Sequence, residues 1–205
     1  MRALVLVDLQ YDFCPGGALA VARGDETITV ARKLMPKFET VVATQDWHPR
    51  DHGSFAANHT GKQPGEVIQL GGLSQVLWPI HCVQGTHGAE LHAGLDRARI
   101  THVFQKGTDP AIDSYSGFYD NGHQKSTGLG SWLRDNRVEQ LYILGLATDY
   151  CVKFTTLDAR DLGFEVWLVE DGCRAVDLKV GDGDRALADM RRAGATIIDS
   201  GAIGA

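Results

Sequence analysis

ALVLVD, at residues 3–8, is a run of five apolar residues that ends in a carboxylate. Short runs of the same kind recur at residues 40–44, 101–105, 140–144, 165–169 and 195–198. Longer stretches with helical spacing separate most of these runs, and this alternation is typical of βαβ units. We therefore predict an α/β fold: a doubly wound, mainly parallel six-stranded sheet with helices on both faces.

The helical stretches lie between the apolar runs. Residues 25–34 are predicted to form a helix that ends at Met35, because the following proline disfavours a helical residue before it. Residues 131–136 end a second helix, and residues 151–162 and 185–192 form two more. Two long connections, 47–88 and 107–130, contain no predicted element, and long loops in compact domains are usually functional.

Length and composition narrow the class of protein. A chain of 205 residues is expected to form a single domain, residues 1–205. The net charge of −6 argues against a nucleic-acid partner, and the apolar runs are too short to cross a membrane.

The start of the chain lacks a secretory signal, and the four cysteines form no C-x-x-C pair, so we expect a cytoplasmic protein with free thiols.

Charged or nucleophilic side chains follow the predicted strands, at the edge where parallel sheets bind ligands. Asp8 follows the first strand and Lys106 the third, while Cys151 follows the fourth at the start of a helix. Helix amides and a nearby ammonium are expected to lower the pKa of the Cys151 thiol and to receive an oxyanion, with Asp8 as proton carrier. The alternative is a buried inert thiol, which is the preferred interpretation for Cys14, Cys82 and Cys173.

A second group of residues has the chemistry of metal ligands. Asp46 and His48 are two residues apart on an extended segment, so they project to the same side. With His81, and with His52 as a further candidate, they form an oxygen and nitrogen set suited to Zn²⁺, Mn²⁺ or Fe²⁺. The alternative is a loop of solvated or capping histidines.

Three aromatic residues lie in the loops beside these polar groups: Phe13, Trp78 and Tyr115. Stacked aromatic side chains stabilise a flat ring by about 0.5–1.5 kcal/mol beyond area burial. They are candidates for a ring-binding site, and the alternative is ordinary packing in a lid or core.

These motifs together resemble the nicotinamidase branch of the isochorismatase-like cysteine hydrolases. The matching stretches are VDLQ (7–10), DF (12–13), TQDWHP (44–49), WP (78–79), HCV (81–83), QKG (105–107), YSGF (115–118) and GLATDYCV (145–152). The set is specific, because it covers nearly the whole chain in the order of the family.

The resemblance implies a hydrolase that converts nicotinamide to nicotinate and ammonia through a thioester. By position Cys151 resembles the nucleophile, Asp8 the acid/base and Lys106 the ammonium that holds the charge of the site. The amides of Ala147 and Cys151 resemble the oxyanion hole, and a cis peptide is implied between Leu146 and Ala147.

The resemblance also implies one divalent metal ion, with zinc expected first and manganese or iron as alternatives. Asp46, His48 and His81 resemble its ligands, and whether His52, Ser54 or water completes the coordination stays open. The ion is implied to bind the pyridine nitrogen, while Phe13 and Trp78 grip the ring and Tyr115 contacts it. Pyrazinamide is an expected second substrate by ring similarity, and a homo-oligomer is possible.

Three alternatives remain at this point. Another branch of the family would hydrolyse isochorismate or an N-carbamoyl compound, and it has no evident need for a metal that holds a ring nitrogen. A nucleotide-binding module is disfavoured because no glycine-rich phosphate loop follows the first strand. A non-catalytic metal-binding protein would tolerate loss of the Cys151 thiol.

Overall fold

The computed structural model describes residues 1–204. Eight strands are present: β1 (Arg2–Val7), β2 (Thr40–Asp46), β3 (Val67–Leu70), β4 (Leu73–Val76), β5 (His102–Lys106), β6 (Gln140–Leu146), β7 (Glu165–Arg174) and β8 (Thr196–Ile198). Six of them form one sheet in the order β5-β2-β1-β6-β7-β8, and every neighbouring pair is parallel. The predicted α/β fold with a parallel six-stranded sheet is confirmed.

Four α-helices connect the strands: α1 (Asp25–Leu34), α2 (Leu129–Asp135), α3 (Lys153–Asp161) and α4 (Asp182–Arg192). From β1 the chain passes through α1 to β2 on one side, whereas from β6 it passes through α3 to β7 on the other. Because such crossovers are right-handed, the two helices lie on opposite faces of the sheet. This is the doubly wound arrangement that the sequence predicts.

The predicted elements differ from the observed ones mainly at their ends. Helix α1 has the predicted bounds, but α4 begins three residues before the predicted residue 185. Strand β7 extends to Arg174, beyond the predicted residue 169, after a register shift in its pairing with β6. Its added residues are partly polar, so no apolar run marks them in the sequence.

A hairpin lies within the connection 47–88, which the sequence analysis left without secondary structure. Strands β3 and β4 pair antiparallel as a separate two-stranded sheet. The turn between them is Gly71-Gly72, and both glycines have positive φ, 58° and 82°. A Gly-Gly pair is a recognised hairpin signal, but the flanking strands are only four residues long and largely exposed. The expectation of a long connection without strands was therefore wrong here.

The sheet positions the functional residues through its central strands. Residues 3–7 of β1 and all of β2 are buried, so the sheet interior is apolar up to the strand ends. The connections leave β1 and β6 in opposite directions, which makes the carboxyl ends of these two strands the switch point of the sheet. Ligands bind in the crevice at such a point. None of the helices in residues 1–204 has the length and apolar character needed to span a membrane.

Gly145 allows β6 to approach β1 at that crevice. It pairs with Val7, has a φ of 140°, and a Cβ atom placed on it would lie 2.1 Å from the Val7 carbonyl oxygen. That distance is far shorter than any real contact, so a side chain here would separate the strands.

Gly145→Ala should therefore destabilise the protein more than Gly163→Ala. Gly163 also has positive φ, 87°, but has open space around it, so its substitution should cost about 1–2 kcal/mol for backbone strain alone. Urea unfolding of both variants measures the difference. An equal loss of unfolding free energy would show that the strand contact is not what excludes a side chain.

Candidate active site

Four charged or nucleophilic side chains meet at the carboxyl ends of adjacent strands. Asp46 ends β2 and Lys106 ends β5, while Asp8 directly follows β1 and Cys151 follows β6 after a short turn. All four residues are buried. The structure thus brings together every residue of the predicted catalytic group.

Lys106 is the centre of this cluster. Its Nζ atom lies 2.9 Å from Asp8 Oδ2 and 2.5 Å from Asp46 Oδ1. The same ammonium donates to the Ser114 carbonyl oxygen at 2.9 Å and to Cys151 Sγ at 3.4 Å. Because its side chain is fully buried, water does not screen these contacts.

The charges of the cluster follow from burial and from these contacts. Burial alone would lower the pKa of Lys106, but Asp46 and Asp8 outweigh it and raise that pKa well above its usual range. Burial would raise the pKa of Asp46, but Lys106 and His48 hold it well below its usual range. For Asp8 burial prevails over Lys106, so its pKa is raised although Thr44 donates to Oδ1 at 2.6 Å.

Cys151 departs from the sequence-based expectation of a lowered pKa. Burial raises the pKa of the thiol well above its usual range, Lys106 opposes this, and Asp8 adds to it. A third negative charge beside Asp8 and Asp46 would exceed what one ammonium compensates. The prediction of a lowered thiol pKa is therefore wrong, and an Asp8 oxygen lies within 4.8 Å of the sulfur as a candidate acceptor for its proton.

The backbone around Cys151 is less regular than a simple helix start. The residue lies in a π-helical turn, Thr148–Val152, that precedes α3, and the Leu146–Ala147 peptide bond is cis, as the resemblance implies. The Ala147 carbonyl accepts hydrogen bonds from the amides of Tyr150 and Val152, both at 3.1 Å. Ala147 and Cys151 line the same pocket, and the oxyanion role of their amides stays a prediction.

Asp46, His48 and His81 form a group that could hold a metal ion. Asp46 Oδ2 lies 3.5 Å from His48 Nε2 and 3.8 Å from His81 Nε2. The Nδ1 atoms donate to the carbonyl oxygens of Gly107 and Pro79, both at 2.8 Å, which leaves the Nε2 lone pairs directed at the carboxylate. Two imidazoles and one carboxylate suit a divalent transition metal and would leave some of its coordination positions open.

His52 lies at the edge of this group. Its Nδ1 atom is 2.7 Å from Ser54 Oγ, whereas its buried Nε2 atom has no hydrogen-bond partner within residues 1–204. Burial and His48 lower its pKa to about 4, so the ring is neutral and able to act as a ligand. One atom of His52 also lies within 4.8 Å of ligand atoms of His48 and Asp113. Ser54 instead contacts His52.

A pocket of about 390 Å³ opens onto both groups. It is lined by Phe13, Leu19, Asp46, His48, Trp78, His81, Asp113, Tyr115, Ala147, Tyr150, Cys151 and Val176. All three predicted aromatic residues are among them. Four further lining residues have no clear signal in the sequence. Leu19 and Val176 are isolated apolar residues, Asp113 lies in a loop of ordinary polar composition, and Tyr150 belongs to a matching motif that assigns it no role.

Comparisons with known proteins agree with this arrangement. A family model described as "Isochorismatase domain" matches residues 2–202. The chain is 52% identical to the nicotinamidase of Escherichia coli (strain K12) over 200 residues, which cover 96% of this chain and 93% of that protein.

Solved structures of related proteins superpose on this chain over nearly its whole length. A nicotinamidase/pyrazinamidase from Acinetobacter baumanii superposes with a TM-score of 0.94 at 47% identity, over 98% of this chain and 96% of that one. A chain from L. infantum in complex with nicotinate has a TM-score of 0.87 at 37% identity, over 100% and 95%. A pyrazinamidase from Pyrococcus horikoshii in complex with zinc has a TM-score of 0.79 at 39% identity, over 97% and 98%.

The buried charge cluster generates a stability prediction. Lys106→Met leaves two buried carboxylates without their ammonium, so we expect a loss of about 3–5 kcal/mol of unfolding free energy. Lys153→Met breaks a more exposed pair with Asp189, 2.6 Å apart, and should cost about 1 kcal/mol or less. Urea unfolding compares the two variants. Similar losses would mean that the Lys106 contacts contribute no more than a surface pair.

Proposed function

The chain belongs to the isochorismatase family, and from that premise we propose that it hydrolyses nicotinamide to nicotinate and ammonia through a thioester on Cys151. One observation carries the proposal: a thiol, an ammonium and two carboxylates form a single buried cluster beside an Asp-His-His group, and one pocket opens onto both. The nicotinamidase activity of the Escherichia coli relative supports it.

Acylation begins with the Cys151 thiol. As Sγ attacks the carboxamide carbon of nicotinamide, its proton passes to Asp8, which is the carboxyl group with the raised pKa. The tetrahedral intermediate then collapses: the C–N bond breaks, Asp8 returns the proton to the leaving nitrogen, and ammonia departs. A thioester between Cys151 and the nicotinoyl group remains.

Deacylation reverses these proton transfers with water as the nucleophile. Asp8 takes a proton from the water that attacks the thioester carbon, and the C–S bond then breaks. Asp8 returns this proton to the sulfur, and the product leaves as nicotinate once its carboxyl proton has passed to solvent. Lys106 stays protonated throughout and compensates the negative charge that moves between Asp8 and Cys151.

The Asp-His-His group would hold an ion that helps to orient the substrate. Asp46, His48 and His81 would hold the ion, and His52 is a further candidate because of its unpartnered Nε2 atom. A divalent transition metal held there would supply a Lewis-acid site for the pyridine nitrogen. Zinc is our first choice, since the Pyrococcus horikoshii relative was solved with it.

The aromatic walls complete the substrate site. Phe13, Trp78 and Tyr115 line the pocket beside Cys151 and would pack on the faces and edge of the pyridine ring. Such packing delivers the carboxamide carbon to the sulfur. Pyrazinamide has a ring of the same size and shape, so we propose it as a second substrate.

Cys151→Ala should abolish ammonia release from nicotinamide, because the sulfur forms the covalent bond to the substrate. Cys173→Ala is the matched control, since this buried thiol donates to the Val169 carbonyl and does not line the pocket. A coupled ammonia assay measures both variants, and thermal unfolding checks their folds. Substantial turnover by Cys151→Ala would refute the proposed mechanism.

His81→Ala should lower the metal content of the purified protein well below about one ion per chain, because it removes one of three ligands. His87→Ala changes an exposed histidine outside the group and should leave the content unchanged. Elemental analysis by mass spectrometry gives the metal per chain. Equal content in both variants would argue against this site.

A further inference from the structure

The hairpin formed by β3 and β4 contains one buried polar side chain. The hairpin lies apart from the main sheet, and most of its residues are exposed or half-buried, yet Gln75 in β4 is only 2% exposed. A buried amide in an otherwise exposed hairpin is unusual, and such groups are nearly always held by hydrogen bonds. The partners of Gln75 therefore indicate what the hairpin does.

The Gln75 amide nitrogen donates toward two residues that line the active-site pocket. Its Nε2 atom lies 2.9 Å from Asp113 Oδ2 and 3.0 Å from Tyr115 Oη, with the Val76 carbonyl at 2.7 Å. The two N–H groups of the amide are shared among these three oxygens, and because the Asp113 carboxylate and the Val76 carbonyl can only accept, the amide nitrogen faces the pocket wall.

Tyr115 also contacts Trp78, a second aromatic residue that lines the pocket. Its hydroxyl oxygen also accepts a hydrogen bond from Trp78 Nε1 at 3.2 Å. Burial, together with Asp113, raises the pKa of Tyr115 well above its usual range, so the hydroxyl stays neutral and serves as this acceptor. Gln75 and Trp78 thus hold one oxygen from two directions, and the hairpin is tied to both aromatic rings.

We propose that Gln75 is a positioning residue that fixes Tyr115, Trp78 and Asp113 as one rigid wall against the ring of the substrate. The proposal rests on the proposed function for the identity of that ring. Gln75 itself does not line the pocket, and none of its hydrogen bonds reaches the cluster of Cys151, Asp8 and Lys106. It acts through the residues that it holds.

This position predicts a particular kinetic signature. A mobile wall weakens the packing of the ring in the bound substrate and in the transition state alike, which raises KM and leaves kcat nearly unchanged. A merely structural defect would instead disturb the buried cluster, or lower the amount of folded enzyme, and so reduce kcat.

Gln75→Met tests the proposal, because methionine has a similar length and no N–H donor. We expect KM for nicotinamide to rise about tenfold, the factor for the loss of one to two hydrogen bonds, with kcat within about threefold of wild type. Gln69→Met is the matched control: it lies on the paired strand β3, is exposed, and should leave both constants unchanged. An unchanged KM, or a fall confined to kcat, would overturn the proposal.

Tyr115→Phe provides an independent variant that removes the acceptor and keeps the Gln75 amide. It should raise KM to a similar extent, and adding Gln75→Met to it should raise KM less than Gln75→Met does alone, because both changes break the contact between Gln75 and Tyr115. Fully additive effects would refute the proposal even if Gln75→Met alone folds poorly.

Failure of the proposed function and failure of the positioning role give different results. A wild-type enzyme that releases no ammonia from nicotinamide would refute the proposed function. A wild-type enzyme that releases it, with no change of KM in Gln75→Met and Tyr115→Phe, would refute only the positioning role.

Discussion

The buried ammonium of Lys106 is the interaction on which the site depends. A lone charge in the apolar interior of a sheet is strongly unfavourable, and here two carboxylates lie within 2.9 Å of the nitrogen to compensate it. Each of the three groups would be costly to bury without the others. The strand ends must therefore keep these side chains together, and this requirement holds the thiol next to its proton acceptor.

Asp46 connects the two halves of the site. One of its oxygens contacts Lys106, and the other faces the Nε2 atoms of His48 and His81. A single carboxylate thereby belongs both to the charge cluster and to the Asp-His-His group that could hold a metal ion. Displacement of β2 would disturb both at once, so the site depends on the register of this strand against β1 and β5.

The remaining walls come from outside the main sheet. Phe13 follows β1, whereas Trp78 lies just after the β3–β4 hairpin and Tyr115 lies in the loop that follows β5. Loops are the more mobile parts of a fold, and an aromatic wall built from them needs cross-links to keep its shape. The hydrogen bonds among Gln75, Tyr115 and Trp78 are such cross-links.

The apolar pattern of the chain and its motifs were enough to predict the sheet and the reactive residues at its strand ends. Apolar runs ending in Asp8 and Lys106 marked strands and site together, because the strand period and the side-chain chemistry are local properties of the chain. The raised pKa of Cys151, the place of Asp113 and Tyr150 in the pocket and the hydrogen bonds of Gln75 follow from the tertiary structure alone. These depend on burial and on charges or partners far away in the sequence, and no local pattern contains them.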